Sequence, residues 1–175
     1  EVREAAARAL AGLADPRALE ALIKALRTDS DAGVRQMAAW ALGEIEDAKA
    51  VPALGEALRG DADAEVRAVA AWALGQIESP RAIEYLQSAL RDSSPAVRMK
   101  TVWALGQIED PAAVPALTGL LRDTNAEIRQ NAAWALGQIE SPAAVDALVG
   151  ALGDSDVEVR RTVVWARGQV EARRA

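Results

Sequence analysis

Apolar residues along this chain follow the period of an amphipathic helix. Val34, Ala38, Ala41, Leu42 and Ile45 are separated by 4, 3, 1 and 3 positions, which places them on one stripe of a helix with 3.6 residues per turn. The stripe begins at a Val-Arg or Ile-Arg pair that recurs every 31 or 32 residues, at 2-3, 34-35, 66-67, 97-98, 128-129 and 159-160. The pattern therefore predicts a tandem array of helical units.

A second helix is predicted in each unit, ahead of the Val-Arg helix. Its stripe is leucine-rich and recurs at Leu19/Leu22/Leu26, Val51/Leu54/Leu58, Ile83/Leu86/Leu90, Val114/Leu117/Leu121 and Val145/Leu148/Leu152. An N-cap residue and usually a proline precede it, at 15-16, 79-80, 110-111 and 141-142, with Asp47-Ala48 as the variant. Pro52 and Pro115 are expected about one turn inside this helix, where proline bends the backbone. We call these the leucine helices and the others the Val-Arg helices.

The Val-Arg helices also have consistent N-terminal signals. A residue with a capping side chain stands three positions before each Val or Ile, at Asp31, Asp63, Ser94, Asn125 and Asp156. Residues 95–125 and 126–156 agree at more than half of their positions, which indicates recent duplication or design.

The repeated phrase D-x-[DSN]-x-x-[VI]-R-x-x-A-A-x-A-L-G-x-I-x-[DS]-P resembles HEAT-like repeats of the short, roughly 31-residue type. Phycobilisome lyase-like proteins and designed HEAT-like scaffolds carry such repeats. The resemblance implies an all-α fold, an α-solenoid of two-helix repeats whose Val-Arg helices line the concave face. It divides the chain, as one domain of residues 1–175, into a lone Val-Arg helix (1–14) and repeats 15–46, 47–78, 79–109, 110–140 and 141–175.

The resemblance also implies an Asp–Arg ladder between neighbouring repeats. An aspartate stands six residues before each arginine, at Asp29/Arg35, Asp61/Arg67, Asp92/Arg98, Asp123/Arg129 and Asp154/Arg160. A guanidinium group can bind carboxylates and carbonyl groups in such a ladder. Five repeated arginines could instead form an anion site, but the matching acids favour the structural interpretation.

Tryptophan recurs once in each complete repeat, at Trp40, Trp72, Trp103, Trp134 and Trp165, in a chain with no Phe and one Tyr. On a helical projection Trp40 lies about 145° from the centre of the buried stripe. The indoles are therefore predicted to leave the core of their own repeats and form a partner-binding stripe. The neighbouring positions assigned to that surface are Gln36, Glu44, Gln76, Met99, Lys100, Gln107, Gln130, Gln138, Arg161 and Gln169.

A structural role for the tryptophans is the alternative. Each indole could lie across the neighbouring Val-Arg helix and cover small side chains. A glycine recurs three residues after each tryptophan, at 43, 75, 106, 137 and 168. Because glycine inside a helix costs about 1 kcal/mol relative to alanine, its recurrence indicates close helix approach or room for an indole.

Composition limits the chemistry. The formal net charge is −6, and the chain has no Cys and no His, which excludes disulfides, thiolate or imidazole metal ligands and histidine catalysis. No basic patch favours nucleic acid, and no apolar run has the ~20 residues that a membrane span needs. Acidic pairs such as Asp61/Asp63 coincide with helix caps and the ladder. We therefore predict no metal, no cofactor and no catalytic residue.

The function predicted from these residues is a non-enzymatic scaffold that binds a protein or peptide along the tryptophan stripe. Homo-oligomerisation through the same surface is a related expectation. One alternative is a subunit of a larger, lyase-like enzyme, and another is a purely structural or engineered repeat protein. A third is a protein that binds single-stranded nucleic acid or carbohydrate by stacking on the tryptophans. The chain starts at Glu1 without Met, as an excised fragment would, and a cytoplasmic location is expected.

Overall fold

The computed structural model describes residues 16–173, and these residues form helices joined by short turns. The predicted helix 1–14 lies outside the described residues. In chain order the elements are α1 (Pro16–Thr28), α2 (Ala32–Ile45), a 3-10 turn (Ala48–Ala50), α3 (Val51–Gly60), α4 (Ala64–Ile77), a 3-10 turn (Pro80–Ala82), α5 (Ile83–Ala89), α6 (Pro95–Ile108), a 3-10 turn (Pro111–Ala113), α7 (Val114–Leu120), α8 (Ala126–Ile139), a 3-10 turn (Pro142–Ala144), α9 (Val145–Ala151) and α10 (Val157–Ala172).

Leucine helices and Val-Arg helices alternate along the chain and form separate layers. The chain divides into two compact units, residues 1–104 and 105–175, with the boundary inside α6. In the first unit α1 packs on α2 and α3 packs on α4, while α2 lies beside α4 and α1 beside α3. In the second unit α7 packs on α8, α9 packs on α10, and α8 lies beside α10. This two-layer arrangement is that of an all-α solenoid, as the helical periodicity predicted.

The core lies between the two layers and is built from the predicted stripes. Leu22 and Leu26 of the first leucine helix are 1% and 2% exposed, and Val34 and Leu42 of α2 are 4% and 0% exposed. Ile45, at the end of the α2 stripe, is partly exposed. Alanine fills much of the remaining core, and its small side chain allows neighbouring helices to approach closely.

The starts of the Val-Arg helices follow the capping signals in the sequence. Asp63 accepts hydrogen bonds from the backbone N–H groups of Glu65 and Val66 at 2.9 and 3.2 Å. Asp31, Asn125 and Asp156 cap their helices through the same kind of bond. Each of these bonds satisfies an amide that has no partner within the helix.

The Val-Arg helices end where the chain turns back toward the next leucine helix. Glu46, Glu78, Glu109 and Glu140 adopt positive φ between 51° and 56° at these reversals. A helix avoids the residue before a proline, and prolines stand two positions after three of these glutamates. In α10 the equivalent residue is Glu171, which is still helical because this helix continues to Ala172 and ends at Arg173 with φ −73°.

The leucine helices begin differently from the sequence prediction. Four of them start with a separate 3-10 turn, and the α-helix begins afterwards. Pro52 and Pro115 are therefore the second residues of α3 and α7, and the prediction that they lie one turn inside a helix is wrong. Proline is tolerated at this position because the first N–H groups of an α-helix have no acceptor within the helix, so the absence of an N–H on proline costs no hydrogen bond.

Candidate partner-binding surface

Each described tryptophan after Trp40 packs on the glycine of the preceding Val-Arg helix. In the first unit, a β-carbon added at Gly43 would lie 2.7 Å from Cζ3 of Trp72 and 2.9 Å from Cα of Ala73. In the second unit, Gly137 stands in the same relation to Trp165, at 2.5 Å, and to Ala166, at 2.9 Å. At Gly43, Gly75, Gly106 and Gly137 the prediction is confirmed in both of its forms, because the missing β-carbon admits the indole edge and the neighbouring backbone; a β-carbon at Gly168 would meet no atom within 4 Å.

The four indoles that make this contact are partly buried by it, and all five indoles are partly exposed. Trp165 is 38% exposed, and Trp40, Trp72, Trp103 and Trp134 are intermediate between buried and exposed. An edge of the six-membered ring fills the space above the preceding glycine. The rest of each indole is accessible to solvent. The tryptophans thus have a structural contact, as the alternative interpretation proposed, and an accessible surface as well.

An open cleft of about 270 Å³ lies between two of these indoles in the first unit. Trp40 and Trp72 form part of its lining, together with Ala68 and Val69 of α4. Two charged residues of opposite sign complete the lining, and these are Glu65 and Lys100. The cleft is thus mainly apolar, with one acid and one base at its boundary.

The residues predicted for the partner-binding surface are at least partly accessible. Glu44, Lys100 and Arg161 are exposed, whereas Met99 and the glutamines at 36, 76, 107, 130, 138 and 169 are intermediate. Of this set, Lys100 lines the cleft together with Trp40 and Trp72. Arg161 is bound to Glu158 of its own helix at 2.7 Å.

Three residues of the cleft were not predicted as binding residues: Glu65, Ala68 and Val69. Glu65 and Val69 are four positions apart, and Trp72 comes three positions later, so they share one face of α4. That spacing was the available signal.

Three arginines of the Val-Arg helices join consecutive repeats through bidentate ion pairs, whereas Arg98 and Arg160 donate to backbone carbonyl groups of their own repeats. Arg35 donates from Nε and Nη2 to the Asp61 carboxylate at 2.7 and 2.8 Å. Its Nη1 donates to the backbone carbonyl of Asp29 at 3.0 Å. Arg67 with Asp92, and Arg129 with Asp154, repeat the bidentate geometry at 2.7–3.0 Å. The aspartate six residues before each of these arginines therefore accepts through its backbone carbonyl group, whereas the carboxylate that binds the arginine comes from the aspartate of the next repeat.

These ion pairs are largely shielded from solvent, which strengthens them. The Asp61 side chain is 8% exposed and that of Arg35 is 16% exposed. Hydrogen bonding by Arg35 lowers the pKa of Asp61 from its usual 3.8, and the backbone N–H of Asp63 acts in the same direction. Arg67 likewise lowers the pKa of Asp92, and Arg129 that of Asp154. The guanidinium groups of these three arginines have raised pKa values because the same carboxylates accept their hydrogen bonds.

The described residues also bear on metal binding and membrane insertion. Across residues 16–173, His, Cys, Asp and Glu side chains nowhere gather in groups of three or more that could hold a metal ion. Over the same part of the chain, every helix is too short or too polar to cross a membrane.

Comparison with known proteins places this arrangement in a family. The family model for HEAT repeats matches residues 1–63, 51–129 and 119–175, which together span the chain. The chain belongs to the HEAT repeat proteins. This assignment agrees with the resemblance in the repeated Val-Arg phrase and with the two-layer helical arrangement. Among curated protein sequences, none is significantly similar to this chain.

Solved structures with similar HEAT-like architecture include designed and natural proteins. A crystallised engineered protein is 28% identical, with a TM-score of 0.69 over 97% of this chain and 90% of that one. The complex of CpcE and CpcF of phycocyanin lyase from Nostoc sp. contains a chain that is 28% identical, with a TM-score of 0.69 over 96% of this chain and 71% of that one. A designed armadillo repeat protein in complex with the peptide (KR)4 is 24% identical and shares the fold, with a TM-score of 0.71 over 95% of this chain and 92% of that one.

Proposed function

We propose that this HEAT repeat protein is a non-catalytic scaffold that binds a peptide or an extended protein segment on the tryptophan-bearing surface of its Val-Arg helices. The observation that carries the proposal is the cleft between Trp40 and Trp72. Aromatic side chains with accessible area are frequent anchors in binding interfaces. Similarity to a chain in the complex of CpcE and CpcF supports a protein as the partner.

The size and lining of the cleft favour one side chain of a larger partner. Its volume of about 270 Å³ is slightly below the ~300–1,000 Å³ range of pockets that enclose a whole small ligand. Ala68, Val69 and two indoles provide apolar contacts, so we propose that an apolar or aromatic side chain enters. Glu65 and Lys100 are placed to contact the polar backbone or the flanking residues of the same partner.

The repeat spacing favours an extended partner. Helices that pack side by side are about 8–10 Å apart. A polyproline II segment advances about 9 Å every three residues, so equivalent side chains of such a segment would meet consecutive Val-Arg helices. A compact ligand would use a single cleft and would gain nothing from the repetition.

Selection from a library of short random peptides tests this proposal. The immobilised full chain selects binders, and fluorescence polarisation then gives their Kd for the unmodified protein and for Val69→Arg, which fills the cleft. We expect a loss of about tenfold or more, equivalent to ~1.4 kcal/mol. The Kd of Lys100→Glu tests the charged boundary of the cleft separately, because the Lys100 side chain is exposed and lines the same cleft.

Ala21→Arg is the matched control. It adds the same side chain at an exposed position of α1, outside the lining of the cleft. We expect its Kd to equal that of the unmodified chain. A selection that returns no binders, or binders that tolerate Val69→Arg and Lys100→Glu, would remove the proposed site.

A further inference from the structure

The leucine helices carry an arginine at one position of the repeat, and in the first unit the next leucine helix binds it. Arg27 of α1 donates to the carboxylate of Glu56 on α3 through two hydrogen bonds of 2.9 and 3.2 Å. Arg59 of α3 stacks instead on an aromatic ring of α5, with its guanidinium carbon 5.0 Å from the ring centroid of Tyr85. The equivalent residue in the second unit is Arg122.

The ring of Tyr85 fills the groove between α3 and α5. A β-carbon added at Gly55 would collide with Cγ and Cδ1 of this ring, so the ring lies directly on the backbone of α3. Arg59 covers the ring from the same helix. Tyr85 is the single tyrosine of the chain, there is no Phe, and the five tryptophans lie on Val-Arg helices. The other described leucine helices therefore have no aromatic side chain to place in such a groove.

The groove between α7 and α9 in the second unit keeps the arginine but lacks both kinds of partner. Ala147 stands at the position of Tyr85, and Gly150 stands at the position of Glu56. An open space of about 390 Å³ remains between the two helices, and Arg122 forms part of its lining. Arg122 is exposed, and within residues 16–173 its guanidinium group has neither an ion pair nor a ring contact.

Two glycines keep the groove open. A β-carbon added at Gly119 or at Gly150 would meet no atom within 4 Å, and both residues line the groove. Thr118 stands where α3 has Gly55, and its hydroxyl group donates to the carbonyl of Pro115 at 2.9 Å. A ring that enters here would therefore lie beside the two glycines rather than on the position of Thr118.

The charges in the lining favour an aromatic ring over a carboxylate. Asp146 is exposed and lines the same groove as Arg122. A carboxylate that paired with Arg122, as Glu56 does with Arg27, would also approach the like charge of Asp146 and would fill little of the space. An aromatic ring fills the space and stacks on the guanidinium group, and a cation next to the ring would complement Asp146. The net charge of −6 favours the same cation.

We propose that the groove between α7 and α9 binds a tyrosine or phenylalanine side chain of a partner protein, with a basic residue beside it. The ring takes the place that Tyr85 has in the first unit, with Arg122 against its face, and the basic residue pairs with Asp146. This surface is independent of the cleft between Trp40 and Trp72, because its residues belong to the second unit and to the leucine helices.

Nitrogen–proton NMR titrations of the full chain with three short probes test the groove. The probes are acetyl-Tyr-Lys-amide, acetyl-Leu-Lys-amide and acetyl-Leu-Glu-amide. We expect the tyrosine probe to shift the backbone signals of Gly119 and Gly150 with a Kd of about 1–10 mM, as befits one side chain. The leucine probe should bind about twofold to fivefold more weakly, because it has no ring to stack on Arg122, and the acidic probe more weakly still.

Three variants separate this groove from other surfaces. Ala147→Tyr supplies the missing ring from α9 itself and should abolish the shifts, whereas Ala143→Tyr adds the same side chain at an exposed position outside the lining and should leave the Kd unchanged. Arg122→Gln should weaken the tyrosine probe about twofold to fivefold without changing Tm, since this side chain is exposed. Val69→Arg should leave these shifts intact, so failure of the tryptophan cleft and failure of this groove are distinguishable.

The proposal is supported if the shifts at Gly119 and Gly150 depend on the ring, disappear in Ala147→Tyr and persist in Ala143→Tyr. It is overturned if these signals do not move at about 10 mM tyrosine probe, or if they still move in folded Ala147→Tyr. Tighter binding of the acidic probe would assign the groove to a carboxylate and would also overturn it. So would sedimentation that shows a dimer of the unmodified chain which Ala147→Tyr dissociates, because a second copy would then occupy the groove.

Discussion

Gly75 and Gly168 hold equivalent positions in two repeats, and the same substitution should have opposite effects at the two sites. A β-carbon at Gly75 would lie 2.7 Å from Cζ3 of Trp103, 2.9 Å from Cα of Ala104 and 2.9 Å from Cβ of Ala104. The indole could turn aside, but the contact with Ala104 Cα can be relieved only by moving a helix backbone. At Gly168 the same β-carbon would have no neighbour within 4 Å.

The magnitudes result from two opposing effects. Replacing glycine by alanine inside a helix stabilises it by about 1 kcal/mol, and Gly168→Ala should retain that gain. Overpacking a close contact costs ~1–3 kcal/mol, and the backbone contact at Gly75 favours the upper part of that range. We therefore expect Gly75→Ala to destabilise the protein by roughly 1–2 kcal/mol after the propensity gain is subtracted.

Urea denaturation of the two variants, monitored by circular dichroism and by tryptophan fluorescence, measures this difference. Both signals are needed because repeat arrays can depart from two-state unfolding. We expect the free energies of unfolding of the two variants to differ by roughly 2–3 kcal/mol, with Gly168→Ala the more stable. Equal stabilities, or a more stable Gly75→Ala variant, would refute the inference that glycine is required for close packing of the Val-Arg helices.

Further predictions concern the ladder, the helix ends and the indoles. Because Arg35 lowers the pKa of Asp61 below its usual 3.8, the contribution of this ion pair to stability is complete above about pH 5 and decreases as the pH falls through 3.8 toward the lowered pKa; acid titration should show a smaller loss of stability for Asp61→Asn. Arg98→Ala should lower the free energy of unfolding by ~1.5–3 kcal/mol without changing peptide affinity, since it removes charged hydrogen bonds to two carbonyl groups; an unchanged thermal transition would argue against a structural role. Glu78→Gly should raise Tm because it relieves about 1 kcal/mol of left-handed strain at φ 51°; a lower Tm would show that the Glu78 side chain makes a compensating contribution. Acrylamide should quench the unmodified chain more than Trp165→Phe, because Trp165 is 38% exposed, and equal quenching would contradict that exposure.

The repeat architecture could be predicted from sequence because each signal is local and occurs several times. The period of Val34 and its stripe, the caps such as Asp63, and the proline after Ser79 each depend on a few neighbouring residues. The ladder arginines were also identifiable. Their carboxylate partners were less obvious, because Arg35 reaches Asp61 across 26 positions in the next repeat.

The candidate site could be predicted only in part, because it depends on how neighbouring repeats pack. The helical projection directed Trp72 away from the core of its own repeat, but it contained no information about the preceding helix. The contact with Gly43 is therefore what fixes the half-buried position of the indole. Glu65 and Val69 were missed for a related reason, since their importance arises only when the neighbouring Trp40 completes the cleft.

The start of the leucine helices illustrates a further limit of sequence reasoning. Both a proline inside an α-helix and a proline after a 3-10 turn are compatible with the sequence around Pro52. The choice depends on the turn that returns from the preceding Val-Arg helix, which places a left-handed Glu46 and a capping Asp47 before the 3-10 segment. The periodicity of apolar residues contains no information about the backbone conformation of this turn.

The most direct test of the partner-binding account is a titration with a selected peptide, observed through the five indole N–H signals in nitrogen–proton NMR spectra. Single Trp→Phe variants assign the signals. The account predicts that the signals of Trp40 and Trp72 shift most and that Val69→Arg abolishes both shifts at the same peptide concentration. Binding that leaves these two signals in place, or shifts them equally in the Val69→Arg variant, would contradict it.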